Sequence, residues 1–381
     1  MKTDLATRYA YQSRYVEDPE SFLQSILDKT VVPHQVEVQP GPEAGKSLCW
    51  LKCPYCYGGS SDNVGERLEH RRYVDVLNQT AHGPNGPVKK VIFAGYATDP
   101  LFYGGIEDLL EVVVKNDQVF GFHTKALKVS DRLIELLTSP NIQDKSYFSV
   151  SVDAGNKASY ASVHGVESKG DLYGKALSNL SRITRARAIS GAPLDVSATY
   201  LITPQNGSSE EVLTAIRDLK EAGVDLIRFS FPQVPRGHDE GPHESVPERD
   251  QIDEAMQRLQ PLIEAEDSER TRVMLRDLDD EYGIDERRTF PCFARYVFPT
   301  IGFDGYLGNC SESSAPHFRG MSLGNLQEVD FWDAFYGYDV ENFKAKALAS
   351  QAKMAESDCR CDRKEHVVNS LMRDSGVFDA L

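Results

Sequence analysis

The chain has 381 residues, with 58 acidic and 42 basic side chains and a formal net charge of −16. That length is enough for one large domain and a smaller one. The acidity repels phosphate backbones and argues against nucleic acid as a partner. No apolar stretch is long enough to span a bilayer, no basic run suits a membrane surface, and the N-terminus is too polar for a secretory signal. A cytoplasmic protein is expected.

Short apolar runs alternate with helical periodicity along the chain. The first strand is read at His34–Gln39. After it come Cys49, Cys53 and Cys56, three thiols within eight residues, with Tyr55 before the third. The second strand, Lys90–Ala94, runs into Gly95, Thr98 and Asp99. A glycine lets the backbone approach a ligand, and Thr98 and Asp99 can accept hydrogen bonds from an ammonium. A plain strand-to-helix turn also favours these residues. The third strand, Val119–His123, leads to Thr124 and Lys125. That lysine suits a ligand carboxylate, or equally solvent.

A helix with a capping serine follows at Ser130–Thr138. The fourth strand, Tyr147–Val152, carries Ser149 and Ser151 and is followed by Asp153. A second helix is read at Asp171–Ser190, a fifth strand at Val196–Ile202, and a third helix at Ser208–Ala222. The last opens with a capping box of Ser208 and Glu211 and stops at Gly223. The sixth strand, Leu226–Phe231, places Arg228 and Ser230 on one face. They could touch substrate or be satisfied within the core. A polar loop at 236–249, with His238 and His243, precedes a helix from Asp250 to about Ala265. Beyond Phe290 the character changes. Tyr296–Ile301 and Tyr306–Leu307 flank Asp304-Gly305, a hairpin signal, and Phe331–Leu348 reads as one helix.

Six strands alternating with helices imply βαβ units and a parallel sheet with right-handed crossovers. This gives an α/β fold, an open or partly closed barrel with ligand sites at the carboxyl ends of its strands. Residues 1–33 form an N-terminal extension, 34–284 the barrel, and 285–381 a small C-terminal α+β domain.

The seven cysteines fall in three groups: Cys49, Cys53, Cys56; then Cys292, Cys310; then Cys359, Cys361. In a reducing compartment such clusters hold metal or do redox chemistry more often than they form disulfides. Thiolates are the usual protein ligands of iron–sulfur clusters. Three of them on a four-iron cluster leave one iron open. Zinc would need a nearby fourth ligand; His34 and His70 are available, though not at a zinc-site spacing.

The Cys-x3-Cys-x2-Cys spacing, with Tyr55 before the last cysteine, resembles the signature of the radical S-adenosylmethionine (SAM) superfamily. The resemblance implies a partial (βα)6 barrel whose 4Fe–4S cluster is held by Cys49, Cys53 and Cys56 and chelates SAM through its open iron. It implies SAM contacts from Tyr55, Gly95, Thr98, Asp99, Thr124, Ser151 and Asp153. Gly95 to Pro100 is similar to the family's Gly-Gly-Glu-Pro segment, with Tyr-Ala-Thr-Asp in place of the usual glycine and glutamate. Ser151-Val-Asp153-Ala is similar to its Ser-x-Asp-Gly segment. Cys292, then Gly305 followed after four residues by Cys310, resembles the start of the SPASM and twitch domains. Cys359 and Cys361 would complete a second, fully ligated 4Fe–4S cluster. A tetrathiolate zinc site suits the same four residues.

The expected activity is radical SAM oxidation of a polar small molecule, such as a carbohydrate, aminocyclitol or nucleoside derivative. A flavodoxin- or ferredoxin-type electron donor is implied. Arg228, Tyr296 and Lys125 are the candidate catalytic residues. A ribosomal-peptide maturase is the second expectation; the short stretch before the first strand is too small for a typical recognition domain. A metal-stabilised binding or electron-transfer protein is the third.

Overall fold

A computed structural model describes residues 15–42, 49–56, 66–96, 98–166, 170–232, 247–276, 290–357, 359, 361 and 363–381. The chain divides into two compact units that do not follow chain order. Unit 1 comprises 1–39, 66–92 and 279–381; unit 2 comprises 40–65 and 93–278. The expected loop at 236–249 lies largely outside the described residues, and His238 and His243 lie wholly outside them.

Unit 2 is a run of parallel strands linked by helices. β3 (Val119–Thr124), β4 (Ser146–Ser151), β5 (Leu194–Leu201), β6 (Leu226–Ser230) and β7 (Arg272–Leu275) lie side by side in chain order. Each neighbouring pair is parallel. The helices are α3 (Ile106–Lys115), α4 (Asp131–Leu137), α5 (Lys157–Val163), α6 (Leu172–Ser190), α7 (Ser209–Glu221) and α8 (Arg249–Ala265). This is the βα alternation with parallel pairing expected of a partial barrel. β7 follows one further helix beyond the six expected strands. It is a four-residue run, Arg-Val-Met-Leu, and carries too little pattern to read beforehand.

One face of this sheet is a dry core. Phe120, Phe122, Phe148, Val150, Val196, Ala198, Tyr200, Ile227 and Phe229 are all fully buried. Phe122 stacks on Phe93 at 4.9 Å and lies 5.7 Å from Phe148. Burying each such ring contributes about 1.5–3 kcal/mol. The alternate residues, pointing the other way, include His123, Ser151, Asp195, Ser197, Thr199 and Arg228, which are less buried. Ser151 pairs in register with Thr199, Thr199 with Arg228, and Arg228 with Met274.

In unit 1, α1 (Pro19–Leu27), β1 (Val36–Val38), α2 (His70–Ala81) and β2 (Lys90–Phe93, its last residue belonging to unit 2) join the C-terminal segments. The latter carry β8 (Thr300–Ile301), β9 (Tyr306–Gly308), β10 (Gly324–Asn325), α9 (Phe331–Phe335), α10 (Phe343–Glu356) and α11 (Arg363–Ser375). The strand order here is β10-β9-β8-β1-β2, with β1 parallel to β8 and the β8–β9–β10 meander antiparallel. Arg72 on α2 donates to the Leu326 carbonyl at 2.9 and 2.6 Å, and the Trp332 indole donates to Gln79 O at 2.6 Å. These bonds draw residues 66–92 into the unit.

Three local expectations are corrected. Tyr296 does not open a strand: it ends a 3₁₀ turn, Ala294–Tyr296, and β8 begins only after Pro299. The side-chain oxygen of Asn369 starts that turn by accepting from Phe293 N (2.7 Å) and Ala294 N (3.1 Å). The single helix expected over Phe331–Leu348 is two, α9 and α10, interrupted at Gly337, whose backbone lies against Asp333 O and Ala334 O. Ser208 does cap α7 by accepting from Glu211 N, but Glu211 does not reciprocate. Its carboxylate accepts instead from Gly155 N (2.7 Å), Asn156 Nδ2 (2.7 Å) and Ser159 Oγ, at the start of α5. The Asp304-Gly305 hairpin is formed as read, with Gly305 at φ +86°.

Candidate functional site

The cysteine loop 49–56 belongs to unit 2, as do the residues after β3 and β4. The loop is docked on the turn that ends α5. Lys52 N donates to His164 O at 2.9 Å, and Gly165, at φ +58°, lies so close to the Lys52 carbonyl that a Cβ would stand 2.2 Å from its oxygen. Only glycine satisfies both conditions. Tyr57 lies outside the described residues.

Asp153 is the centre of the site. It is wholly buried and holds φ +50°, a left-handed conformation that aspartate tolerates better than most residues. Its Oδ2 accepts from Lys125 Nζ at 2.6 Å and from the Tyr55 hydroxyl at 2.9 Å. Its Oδ1 accepts from Leu201 N at 2.7 Å. Burial is the largest single influence and opposes the charge on Asp153, but Lys125, His164 and the Leu201 amide together hold the carboxyl below its ordinary range. Burial likewise opposes the charge on Lys125, and Asp153 and Cys53 raise its pKa in spite of it. Both groups are therefore ionised at neutral pH. Lys125 is engaged by Asp153 and is not the solvated lysine that the sequence allowed.

His164 was not singled out in the sequence, yet it touches the cysteine loop. Its Nδ1 lies 3.2 Å from Cys53 Sγ and 3.4 Å from the Tyr55 hydroxyl, and its Nε2 lies 3.3 Å from Val152 O. Burial pushes its pKa down to about 3, so the ring is neutral. With a proton on Nε2 donated to Val152 O, Nδ1 faces Cys53 as an acceptor. Burial also pushes Cys49 up to about 12 and Cys53 up to about 11. A strongly cationic partner would favour their thiolate forms.

Asp99 is satisfied within the protein. It caps a short 3₁₀ turn, accepting from Leu101 N (2.9 Å), from Thr124 Oγ1 at both oxygens (2.8 and 2.9 Å) and from Lys125 N (2.6 Å). Burial nonetheless raises its pKa. Gly95 is exposed and needed for its turn: a Cβ there would stand 1.9 Å from Thr98 O. Thr199 Oγ1 donates to Ser151 Oγ at 3.1 Å. Two hydroxyls remain. Thr98 Oγ1 and the Tyr160 hydroxyl are buried with no hydrogen-bond partner among the described residues. Buried hydroxyls are rarely left so. Tyr160 lies on α5 with its ring 4.2 Å from His164, and it feels the charges of Asp153, Cys53, Asp99 and Cys49.

Among the described residues no three His, Cys, Asp or Glu side chains are gathered as a site for one metal ion. The three thiols, the neutral imidazole, the buried ammonium and the two orphaned hydroxyls offer the thiolate ligands and hydrogen-bonding groups that a 4Fe–4S cluster with a polar ligand would need.

Unit 1 holds the other four cysteines. Cys292, Cys310 and Cys359 are buried and Cys361 is half-buried. Burial drives the Cys310 thiol well above its ordinary pKa, and the nearby acids Glu365, Cys359 and Cys292 drive it further. Cys310 N donates to Ser313 Oγ at 2.9 Å. Asn369 is a second residue that the sequence did not reveal. Besides holding Phe293 N and Ala294 N, it donates through Nδ2 to Cys361 Sγ at 3.2 Å. One amide thus ties the Cys292 turn to Cys361. Concentrated buried acidity of this kind suits a cationic metal group.

No protein-family model matches the chain, and no curated protein sequence does. Solved structures match by fold. SuiB from Streptococcus suis superposes with a TM-score of 0.57 at 16% identity, over 83% of this chain and 69% of that one. SuiB has also been solved bound to S-adenosylmethionine (TM-score 0.56) and bound to its precursor peptide SuiA (TM-score 0.58, 15% identity). The protein anSMEcpe, solved with bound AdoMet, matches with a TM-score of 0.54 at 16% identity, over 91% of this chain and 96% of that one. No described helix is long and apolar enough to cross a membrane.

Proposed function

We propose that this chain, which has the radical SAM fold, is an enzyme that cleaves S-adenosylmethionine reductively and abstracts hydrogen from a polar substrate. The observation that carries this reading is the buried network from Cys53 through His164 and Tyr55 to Asp153 and Lys125. It ties the three-cysteine loop to the residues after β3 and β4, where a sheet of this kind binds its ligands. Cys49, Cys53 and Cys56 would hold a 4Fe–4S cluster. When bound, that cluster supplies the electron that splits SAM into methionine and a 5′-deoxyadenosyl radical. Tyr55, Gly95, Thr98, Thr124, Ser151 and Asp153 are proposed around SAM. The orphaned Thr98 hydroxyl supports its place there directly. Asp99 is assigned to shaping the loop, because its oxygens are already taken.

The open face of the unit 2 sheet supports a polar substrate. Ser151, Thr199 and Arg228 stand in one row, offering hydroxyl and guanidinium groups. We assign substrate contact to Arg228. The reaction we favour is oxidation of a small hydroxylated molecule. Hydrogen abstraction leaves a carbon radical; loss of one electron and one proton then gives a carbonyl. Cys292, Cys310, Cys359 and Cys361 would hold a second 4Fe–4S cluster as the electron acceptor. A flavodoxin- or ferredoxin-type donor would supply the first electron. SuiB, solved with its precursor peptide, favours a second reading, modification of a ribosomal peptide.

The test is anaerobic. Reconstituted, dithionite-reduced protein should release 5′-deoxyadenosine from SAM, and the Cys49→Ala/Cys53→Ala/Cys56→Ala variant should not. That variant should keep about four irons of the second cluster. Cleavage that persists in the triple variant rejects the first assignment, and a variant free of iron and sulfide rejects the second.

A further inference from the structure

We infer that a cavity beside Cys292 in unit 1 binds the carboxylate or phosphate group of a ligand. The cavity has a volume of about 60 Å³, and its lining includes Cys292, Arg295, Tyr296, Tyr338, Asp339 and Lys346. Phe293, Tyr296, Tyr338 and Phe343 give it aromatic surface, and two cations share the lining with one carboxylate. That carboxylate is already used. Asp339 accepts from Asn342 N at 3.1 Å and from Asn342 Nδ2 at 2.8 Å, at the start of α10, and these bonds hold its carboxyl below the ordinary range.

Asn342 leaves both cations without a direct ion pair: among the described residues neither Arg295 nor Lys346 touches a carboxylate, although Lys346 is near enough to Asp339 to help hold its carboxyl down. The Arg295 guanidinium lies 5.5 Å from the centre of the Tyr296 ring, which supports it from one side. Its Nε is buried and has no hydrogen-bond partner among the described residues. A buried guanidinium donor left open is unfavourable unless something fills the place. The planar fork of an arginine matches a carboxylate or a phosphate with two parallel bonds. Lys346 adds a mobile positive charge from exposed α10. Tyr338 cannot complete the site as a donor, because its hydroxyl is given to Ile26 O at 2.6 Å. The ligand therefore has an anionic head and a body that packs on aromatic rings. All the lining residues belong to unit 1, and none of them belongs to the cysteine loop of unit 2.

The experiment titrates anaerobically reconstituted protein with inorganic phosphate and with acetate, by calorimetry, against chloride at matched ionic strength. One saturable site is expected for at least one of the two anions. Arg295→Gln should raise its Kd tenfold or more, Lys346→Gln about threefold, and Asp339→Asn should lower it. The ligand-free melting temperature of Arg295→Gln should stay level or rise, since the change removes an unsatisfied donor; a purely structural arginine would give a fall. Tighter phosphate binding assigns a phosphate ester, and tighter acetate binding a carboxylate. Absence of saturable binding beyond the chloride control overturns the proposal. So does a Kd unchanged in both Arg295→Gln and Lys346→Gln; the second lies on an exposed helix face and folds regardless. SAM cleavage is read separately and stands or falls without this result.

Discussion

Replacing Asp153 by asparagine keeps the shape of the side chain and removes its charge. The structure gives the consequence. Lys125 Nζ, 2.6 Å from the carboxylate and only 15% exposed, would face a neutral amide, and the amide can accept through one oxygen where the carboxylate uses two. Breaking one side of a buried pair costs about 3–5 kcal/mol. At roughly 2–4 °C per kcal/mol, unit 2 should melt some 6–20 °C lower. Asp153→Asn/Lys125→Met removes both charges and should recover about 2 kcal/mol relative to the sum of the single changes. The sign with pH also follows. The Asp153 carboxyl is depressed, so its contribution is complete above the unfolded value of about 4 and is lost as pH falls through the folded value. The Lys125 ammonium is raised, so its share is complete below about 10.4 and is lost as pH rises beyond its folded value. Asp153→Asn should therefore flatten the acid limb of the stability curve below about pH 4. Urea unfolding from about pH 2 to about pH 11 measures the acid limb, the pair's contribution at neutral pH and the start of the alkaline loss. A single variant within about 1 kcal/mol of the parent, or strict additivity in the double variant, would refute the pair as the centre of the network.

Gly165→Ala should dislodge the cysteine loop, because the new methyl meets Lys52 O and the backbone is left-handed there; the reconstituted variant should lose about four irons, and an unchanged iron content would contradict the docking. Asn369→Ala strips two buried N–H groups and Cys361 of their partner, so unit 1 should lose about 1–3 kcal/mol in a thermal melt, and a level melting temperature would count against the tie. With all seven cysteines proposed as ligands, no thiol is left to quench a substrate radical. Turnover in deuterium oxide should leave no deuterium at a non-exchangeable carbon, and a labelled product of unchanged formula would overturn the oxidative reading.

The repeating part of the fold was legible because β3 to β6 combine β-branched and aromatic runs with clear turn residues. Their boundaries moved by one or two residues only. The thiols were legible as well, since their chemistry is carried by spacing within one loop. His164 and Asn369 were not. Each acts on partners distant along the chain, His164 on Cys53, 111 residues away, and Asn369 on Phe293 and Ala294, 76 and 75 residues away, brought together only by folding; a lone His or Asn in a helical context gives no local signal. Glu211 misled for the opposite reason. Its position after Ser208 matched a local cap, but a tertiary contact with Asn156 and Ser159 outcompeted it. The two units were also hidden, because unit 1 is assembled from three separated stretches of chain.

That interleaving orders the events of biosynthesis. Most of unit 2 is one continuous stretch of parallel βα repeats, so each strand can settle on the one made just before it. Unit 1 must wait. Its β1 pairs with β8 through Glu37 and Thr300, and its first segment emerges from the ribosome long before its last. Closing a loop of that length is slow, although its extra entropic cost grows only gently with length. In the interval β1 and α2 are left with apolar faces that nothing yet covers. The four cysteines of unit 1 are all translated within this closing phase. The thiols proposed for the second cluster would thus come together last, whereas Cys49, Cys53 and Cys56 are made early in synthesis.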